Sequence, residues 1–433
     1  MNATEPAENS GPRGGTTRTG AGPIRMDAGT PALVLRLDDN LFHHGTLAAV
    51  RSLGRAGVEV HAVLEGPHAP AARSRHLTRM YRWPDGPRTP EALVAALESI
   101  AARIGRRALL IPMDDAGAIF TAEHAAALRP SFLLPDQVPE LPRRLADKAA
   151  LAELCASLDI AQPETRVIRS EADAAAAASG LGLPLMAKWA KPWLLPPGSG
   201  LRSTAPVRTP QAAARIFAQA AGHGSELLFQ RFVPGAPGSD WFFQGYFGAG
   251  SSCLLGGAGR KERAYPPRAG LTTLGRWLPN PRVEAAAHRI AAALGYRGVL
   301  DLDFRHDAAA DVYYLLDFNP RLGAQFRLFT DDGGLDLVRA LHLDLTGGAV
   351  PEGRPAYGRT YLVENYDAFP AFHDRRTGEL TYAGWLRSVR EADEFAWFSA
   401  EDFKPFVAMT RQTLKRGFTR IARRHRNSPA GSR

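Results

Sequence analysis

Cysteine is almost missing from this chain of 433 residues: there are two, Cys155 and Cys253, both in apolar surroundings. That argues against a disulfide framework or a thiolate metal cluster and suits two buried thiols in a reducing compartment. No apolar run approaches the ~20 residues that a membrane-spanning helix needs. Residues 1–30 are rich in Gly, Pro, Thr and Asn, without the basic start or apolar centre of a secretory signal, and read as a disordered tail. A cytoplasmic location is therefore expected. The chain has no Gly-x-Gly-x-x-Gly, so a dinucleotide-binding domain is not indicated. Lysine is scarce as well, with six against 47 arginines, and Lys148, Lys188, Lys191 and Lys261 fall in the middle third. Where arginine is the default cation, a lysine either marks a place that wants a compact ammonium, as phosphate sites do, or stands there by chance.

The net charge of +9 is local. Residues 404–433 carry nine Lys or Arg and no acid, and the rest of the chain has 44 basic and 44 acidic residues. With 45% apolar residues the chain can bury a sizeable core, and its length suits two to four domains.

What is present centres on residues 298–329. In the first part, Leu300, Leu302 and Phe304 alternate with Asp301, Asp303 and Arg305, as in a half-buried strand. A short polar connection, residues 306–311, leads to a second β-rich run, residues 312–318, so the pair reads as an antiparallel hairpin. Asp317, Asn319 and Arg321 share one side of that second run, and Pro320 ends it. If the register faces them together, Asp303, Asp317 and Asn319 are three hard oxygen ligands that suit Mg²⁺ shared with substrate phosphates. The alternative is a solvated polar face of a sheet, and spacing leaves the choice open.

Upstream, residues 32–37 and 58–64 read as strands flanking a helix, and residues 91–103 and 108–112 add a second helix and strand, giving a small open α/β unit. Ligands of such sheets bind at the carboxyl ends of strands, which makes Asp38, Asp39, His43, His44, Asp114 and Asp115 candidate contacts; taken singly, each is more often a cap or a solvated side chain. Asp147 caps a following helix whose first turn holds Lys148. Residues 259–267 (GRKERAYPP) concentrate charge and read as a solvated turn, or else bring Arg260, Lys261 and Arg263 to a phosphate. Residues 403–426 place Phe403, Phe406, Val407, Leu414, Phe418 and Ile421 at roughly helical spacing against a basic remainder. That pattern fits a helix lying on an anionic membrane or contacting nucleic acid, and equally a helix docked on the protein with a solvated basic face.

Asp303 followed by Asp317-Phe318-Asn319-Pro320-Arg321 resembles the metal-binding end of the ATP-grasp ligases, with Asp317 where the family usually has Glu. The resemblance extends over about residues 141–345. It implies a two-lobed ATP-grasp fold at residues 143–350, with lobes meeting near 228–235. Around it would lie an N-terminal open α/β domain at 31–142, an extension at 351–400 and a basic helix and tail at 401–433. It further implies Mg²⁺ or Mn²⁺ on Asp303, Asp317 and Asn319, and ATP phosphates on Lys148, on Lys188 and on a loop at 196–204 containing Gly198, Gly200 and Arg202. Adenine would sit against Gln230, in the usual place of Glu, and the Val233 backbone, and ribose near Asp240. Arg321 would stabilise the reaction intermediate, with Arg260 and Arg263 near the transferred phosphate. The implied activity joins a small-molecule carboxylate to an amine through an acyl phosphate, releasing ADP and phosphate. An ATP-grasp enzyme of another substrate class, or a nucleotide-binding protein without turnover, recruited to a membrane by its C-terminal helix, is the alternative.

Overall fold

Three sheets organise the chain in the computed structural model, which describes residues 24–195, 203–220, 224–267 and 270–427, with side chains to residue 416. The first contains β1 (Ala32–Leu35), β2 (Val60–Val63), β3 (Arg79–Tyr81), β4 (Ala108–Pro112) and β5 (Phe132–Leu133), all parallel in the order β3-β2-β1-β4-β5. All four residues of β1 are buried, as expected for a central strand covered on both faces, and this explains its unbroken apolar run. The open α/β unit is therefore as the sequence implied.

The second sheet is antiparallel and has four strands, β6 (Thr165–Ile168), β7 (Leu185–Trp189), β8 (Thr204–Val207) and β9 (Leu227–Arg231), in the order β6-β9-β7-β8. It has a core of its own, which includes Ile168, Leu185, Trp189 and Phe229.

The third sheet contains β10 (Asp240–Phe247), β11 (Cys253–Tyr265), β12 (Leu271–Trp277), β13 (Gly298–Asp307), β14 (Val312–Asn319), β15 (Thr360–Leu362) and β16 (Glu394–Phe395). Its order is β14-β13-β10-β11-β12-β15-β16. Most of the charged segment read as a turn at 259–267 belongs instead to the long strand β11. Glycines let that strand lie against aromatic rings: a Cβ at Gly259 would come 2.4 Å from the Phe242 ring, and one at Gly257 2.5 Å from Trp277 Nε1. Register shifts between Lys261 and Ala264 then alter which side chains face each way.

One continuous core joins Val34, Leu47 and Ile111 of the first sheet's region to Phe242, Tyr246 and Trp277 of the third, and to Trp397 and Met409 near the C-terminus. The segment after residue 350, which carries no motif, thus supplies the last two strands at one end of the third sheet, β15 and the edge strand β16, and part of the common core.

Candidate functional site

The hairpin β13–β14 sets the centre. Its register puts Asp303 directly opposite Asp317 and Asp301 opposite Asn319, so the alternation seen in the sequence becomes one polar face. The register slips between Asp303 and Phe304, leaving Leu316 as the extra residue of β14. That bulge frees the Leu316 carbonyl, which accepts a hydrogen bond from Lys188 Nζ at 2.8 Å.

Lysines from three other elements converge on the two aspartates. Lys148 begins the helix Lys148–Ser157, whose N-cap Asp147 accepts from the backbone N–H groups of Ala149 and Ala150. Its ammonium pairs with Asp317 Oδ1. Lys188, on β7, approaches the same oxygen at 3.4 Å. Lys261, on β11, pairs with Asp303 Oδ1 at 2.7 Å. Burial by itself would raise the Asp317 carboxyl, but the ammonium groups of Lys148 and Lys188 outweigh it and bring its pKa down to about 2. Desolvation is the larger influence on Lys188 and lowers its pKa despite Asp317. For Lys261 burial also acts downward, and the carboxylates of Asp303 and Asp240 reverse it, so its pKa is raised.

A second layer surrounds Arg321. Its Nη1 donates to Asp301 Oδ2 at 2.9 Å, and its Nε lies 3.3 Å from Asp115 Oδ1. Gln244 Nε2 donates to the other Asp301 oxygen at 3.0 Å. Burial dominates at Asp301 and raises its pKa to about 6; Arg321 opposes the rise and Asp303 adds to it. Asp301 and Gln244 were not singled out from the sequence, although Asp301 was legible by its spacing, two residues before Asp303.

Among the N-terminal candidates, Asp115 is the one that reaches Arg321. Asp114 caps the helix Asp115–Glu123 and accepts from the Leu37 and Asp38 backbone at 2.6 and 3.0 Å. Asp38 accepts from Arg36 Nε at 2.8 Å, and Asp39 pairs with Arg88 at 3.1 Å. His43 caps the helix His44–Arg55 by accepting from Thr46 N, and burial, followed by Arg36, His44 and Arg321, holds its pKa well below the ordinary value. His44 Nδ1 lies 3.1 Å from Tyr361 Oη.

The remaining positions are distributed as follows. Asp240 pairs with Arg305 at 2.6 Å, and Arg305 also donates to the Val233 carbonyl at 3.2 Å. Gln230 is buried on β9 and donates from Nε2 to Thr165 Oγ1 at 2.9 Å, which leaves its amide oxygen as an acceptor. Arg260 pairs with Glu262 at 2.8 Å. Arg263 is not brought to the aspartates: it forms a buried two-pronged pair with Asp367 at 2.8 and 2.7 Å. The register shifts of β11 explain why Lys261 meets Asp303 while Arg263 is committed elsewhere. Gly198, Gly200 and Arg202 lie outside the described residues.

The donor set suits a hard cation. Asn319 donates from Nδ2 to the Asp301 carbonyl at 3.2 Å, which leaves its Oδ1 as the amide atom able to coordinate, on the same strand as Asp317 and two residues from it. Among the described residues no group of three or more His, Cys, Asp or Glu converges to hold a metal, so a site here would consist of two carboxylates and an amide. Such a site keeps positions open for phosphate oxygens and water, as Mg²⁺ prefers.

No protein-family model matches the chain. The carbamoyl phosphate synthase large chain of Thermus thermophilus is 24% identical over 410 residues, covering 88% of this chain and 36% of that protein. The chain thus spans little more than a third of the curated relative's length. Among solved structures, the L-amino acid ligase from Bacillus licheniformis superimposes with a TM-score of 0.57 at 14% identity, covering 78% of this chain and 79% of that one. The biotin carboxylase domain of Hydrogenobacter thermophilus 2-oxoglutarate carboxylase, solved with MgADP, ADP and bicarbonate, gives 0.56 at 15% identity, with 76% and 73% covered. N5-carboxyaminoimidazole ribonucleotide synthetase from Thermus thermophilus gives 0.54 at 16% identity, with 76% and 81% covered.

Proposed function

We propose that this chain, built on the ATP-grasp fold, is an ATP- and Mg²⁺-dependent ligase that joins a small-molecule carboxylate to an amine and releases ADP and phosphate. The observation that carries the reading is the pairing of Asp303 with Asp317 across the hairpin, with Lys148 and Lys188 converging on Asp317. The solved structures similar to it include a ligase acting on amino acids and a carboxylase domain bound to MgADP.

Asp303, Asp317 and Asn319 would hold the metal, which supplies charge neutralisation at the nucleotide phosphates. Asp317 keeps Lys148 and Lys188 beside the metal face, from which each ammonium would turn to a phosphate oxygen. Lys261 brings a third ammonium to the same face through Asp303. A substrate carboxylate would take the γ-phosphoryl group, and the amine would displace phosphate from the resulting acyl phosphate. Arg321, held between Asp301 and Asp115, would stabilise the negative charge that develops in that step. Gln230 and the Val233 backbone would receive adenine near the junction of the second and third sheets. The protein's contribution is positioning and fixed charge, because phosphoryl transfer asks for little covalent chemistry from the enzyme.

The test is release of ADP and phosphate from ATP and Mg²⁺ against pooled carboxylates and pooled amines, with Asp317→Asn as control. Release is expected to require one pool of each kind and to fall at least about 100-fold in the variant, as losing a charge that organises both metal and lysines demands. Wild-type turnover in Asp317→Asn would refute the metal assignment. Nucleotide binding seen by thermal shift, with no ADP from any pair of pools, would favour a binding protein without turnover.

A further inference from the structure

The C-terminal helix, Lys404–Asn427, has two opposed faces among its described side chains. Pro405 and Met409 are buried against the protein, and the Arg416 guanidinium lies 4.5 Å from the centre of the Phe42 ring. On the far side Phe403 and Leu414 are 52% and 57% exposed, with half-buried Val407 between them. Intervals of four and seven residues put these three on one stripe, since a helix turns about 100° per residue. The exposed part of an apolar stripe directed away from the core gains nothing from the fold.

Cations border the stripe. A groove of about 410 Å³ beside it has Phe403 and Val407 among its lining, and its charged lining residues are Arg73, Lys404 and Arg411, joined by His68 and by no carboxylate. Lys415 extends the cationic border by one more turn, and residues 404–433 contain nine Lys or Arg without an acid.

We propose that this outward face is a docking surface for an anionic phospholipid bilayer, with Phe403, Val407 and Leu414 entering the headgroup boundary and Lys404, Arg411 and Lys415 meeting lipid phosphates. Charge complementarity selects an anionic partner, and the exposed hydrocarbon between the cations selects a bilayer. A nucleic acid would meet the cations and find one ring, Phe403, but Val407 and Leu414 are aliphatic and give a base no stacking face, whereas all three suit lipid hydrocarbon. No helix among the described residues is long and apolar enough to cross a membrane, so the contact is interfacial. The proposal stands apart from the ligase reading and uses none of its residues.

The experiment is sedimentation of the full chain with phosphatidylcholine vesicles, with and without phosphatidylglycerol, over a range of salt. Binding is expected with the anionic vesicles alone and should weaken as salt rises. Reversing Lys404, Arg411 and Lys415 together (K404E, R411E, K415E) should lower the partition coefficient on the order of 100-fold or more, at roughly fivefold per cation removed. Phe403→Ser with Leu414→Ser should lower it on the order of 10-fold. All five positions are exposed, and a thermal melt of each variant checks that it remains folded, so that lost binding reports on the surface. Equal binding to neutral vesicles, indifference to the serine pair, or displacement of vesicles by single-stranded DNA would overturn the proposal. So would a dimer in solution that the serine pair dissociates, because a second copy would then occupy the face.

Discussion

Asp301 shows how a single residue gains a function from its neighbours. Its carboxylate receives Gln244 on one oxygen and Arg321 on the other, inside a site dry enough to raise its pKa to about 6. An ordinary aspartate titrates near 4, so between about pH 4 and 6 the folded chain holds a proton that the unfolded chain has released. This group's contribution therefore favours the fold at low pH and is lost as pH rises through 6, where the anion forms and grips Arg321. If Arg321 must be held for turnover, kcat/KM should fall as pH drops below about 6, and Asp301→Asn should remove that limb from the profile. A limb that persists unchanged in the variant would assign the titration to another group. Asp317 lies at the opposite extreme: held down to about 2 by two lysines, it stays ionised over the whole working range.

Single strands explain why one lysine of a charged segment reaches the site while an arginine two positions on does not. Lys261 and Arg263 would share a face in a regular strand, but β11 slips its register between them. Arg263 instead ties β11 to the helix Glu364–Arg376 through Asp367, which also accepts from Thr273 Oγ1 and Trp385 Nε1. The side chains of Arg263 and Asp367 are 6% and 2% exposed. Removing one partner leaves a buried charge uncompensated, so Arg263→Met should cost about 3–5 kcal/mol of stability, visible as a lowered midpoint in urea. A variant with wild-type stability and lost turnover would instead return Arg263 to the reacting phosphate. The bulge at Leu316 works the same way in β14: an irregularity of one residue releases the carbonyl that Lys188 takes.

At the scale of the whole molecule, residues 351–397 complete the third sheet and the common core. Strand β15 pairs with β12, Trp277 N donates to the Arg359 carbonyl at 2.9 Å, and Trp397 is fully buried in the core shared with the first sheet. A chain ending at residue 350 would expose the edge of β12 and the rings of Trp277 and Phe329, a long unpaired edge over an apolar surface. Such a truncation is expected to be insoluble or to melt without cooperativity, measured by soluble yield and calorimetry. A soluble, cooperatively folded product would show that the extension is an accessory domain. The second sheet differs in having a core of its own, which includes Leu185, Trp189 and Phe229.

The sequence alone determined what is local. Alternation with a period of two placed Asp301, Asp303, Asp317 and Asn319 on polar faces, and unbroken apolar runs marked the buried parallel strands. The cap at Asp147 and the placement of Lys148 in the first helical turn were equally legible, because capping needs only neighbouring residues. Tertiary structure alone decided which faces meet. The pairing of Asp303 with Asp317 depends on register, the division of labour between Lys261 and Arg263 on bulges, and the convergence of Asp115 on Arg321 on the packing of one sheet against another. Each of these is a contact between residues far apart in the chain, set by how side-chain volumes fill a shared core, and no local periodicity encodes it.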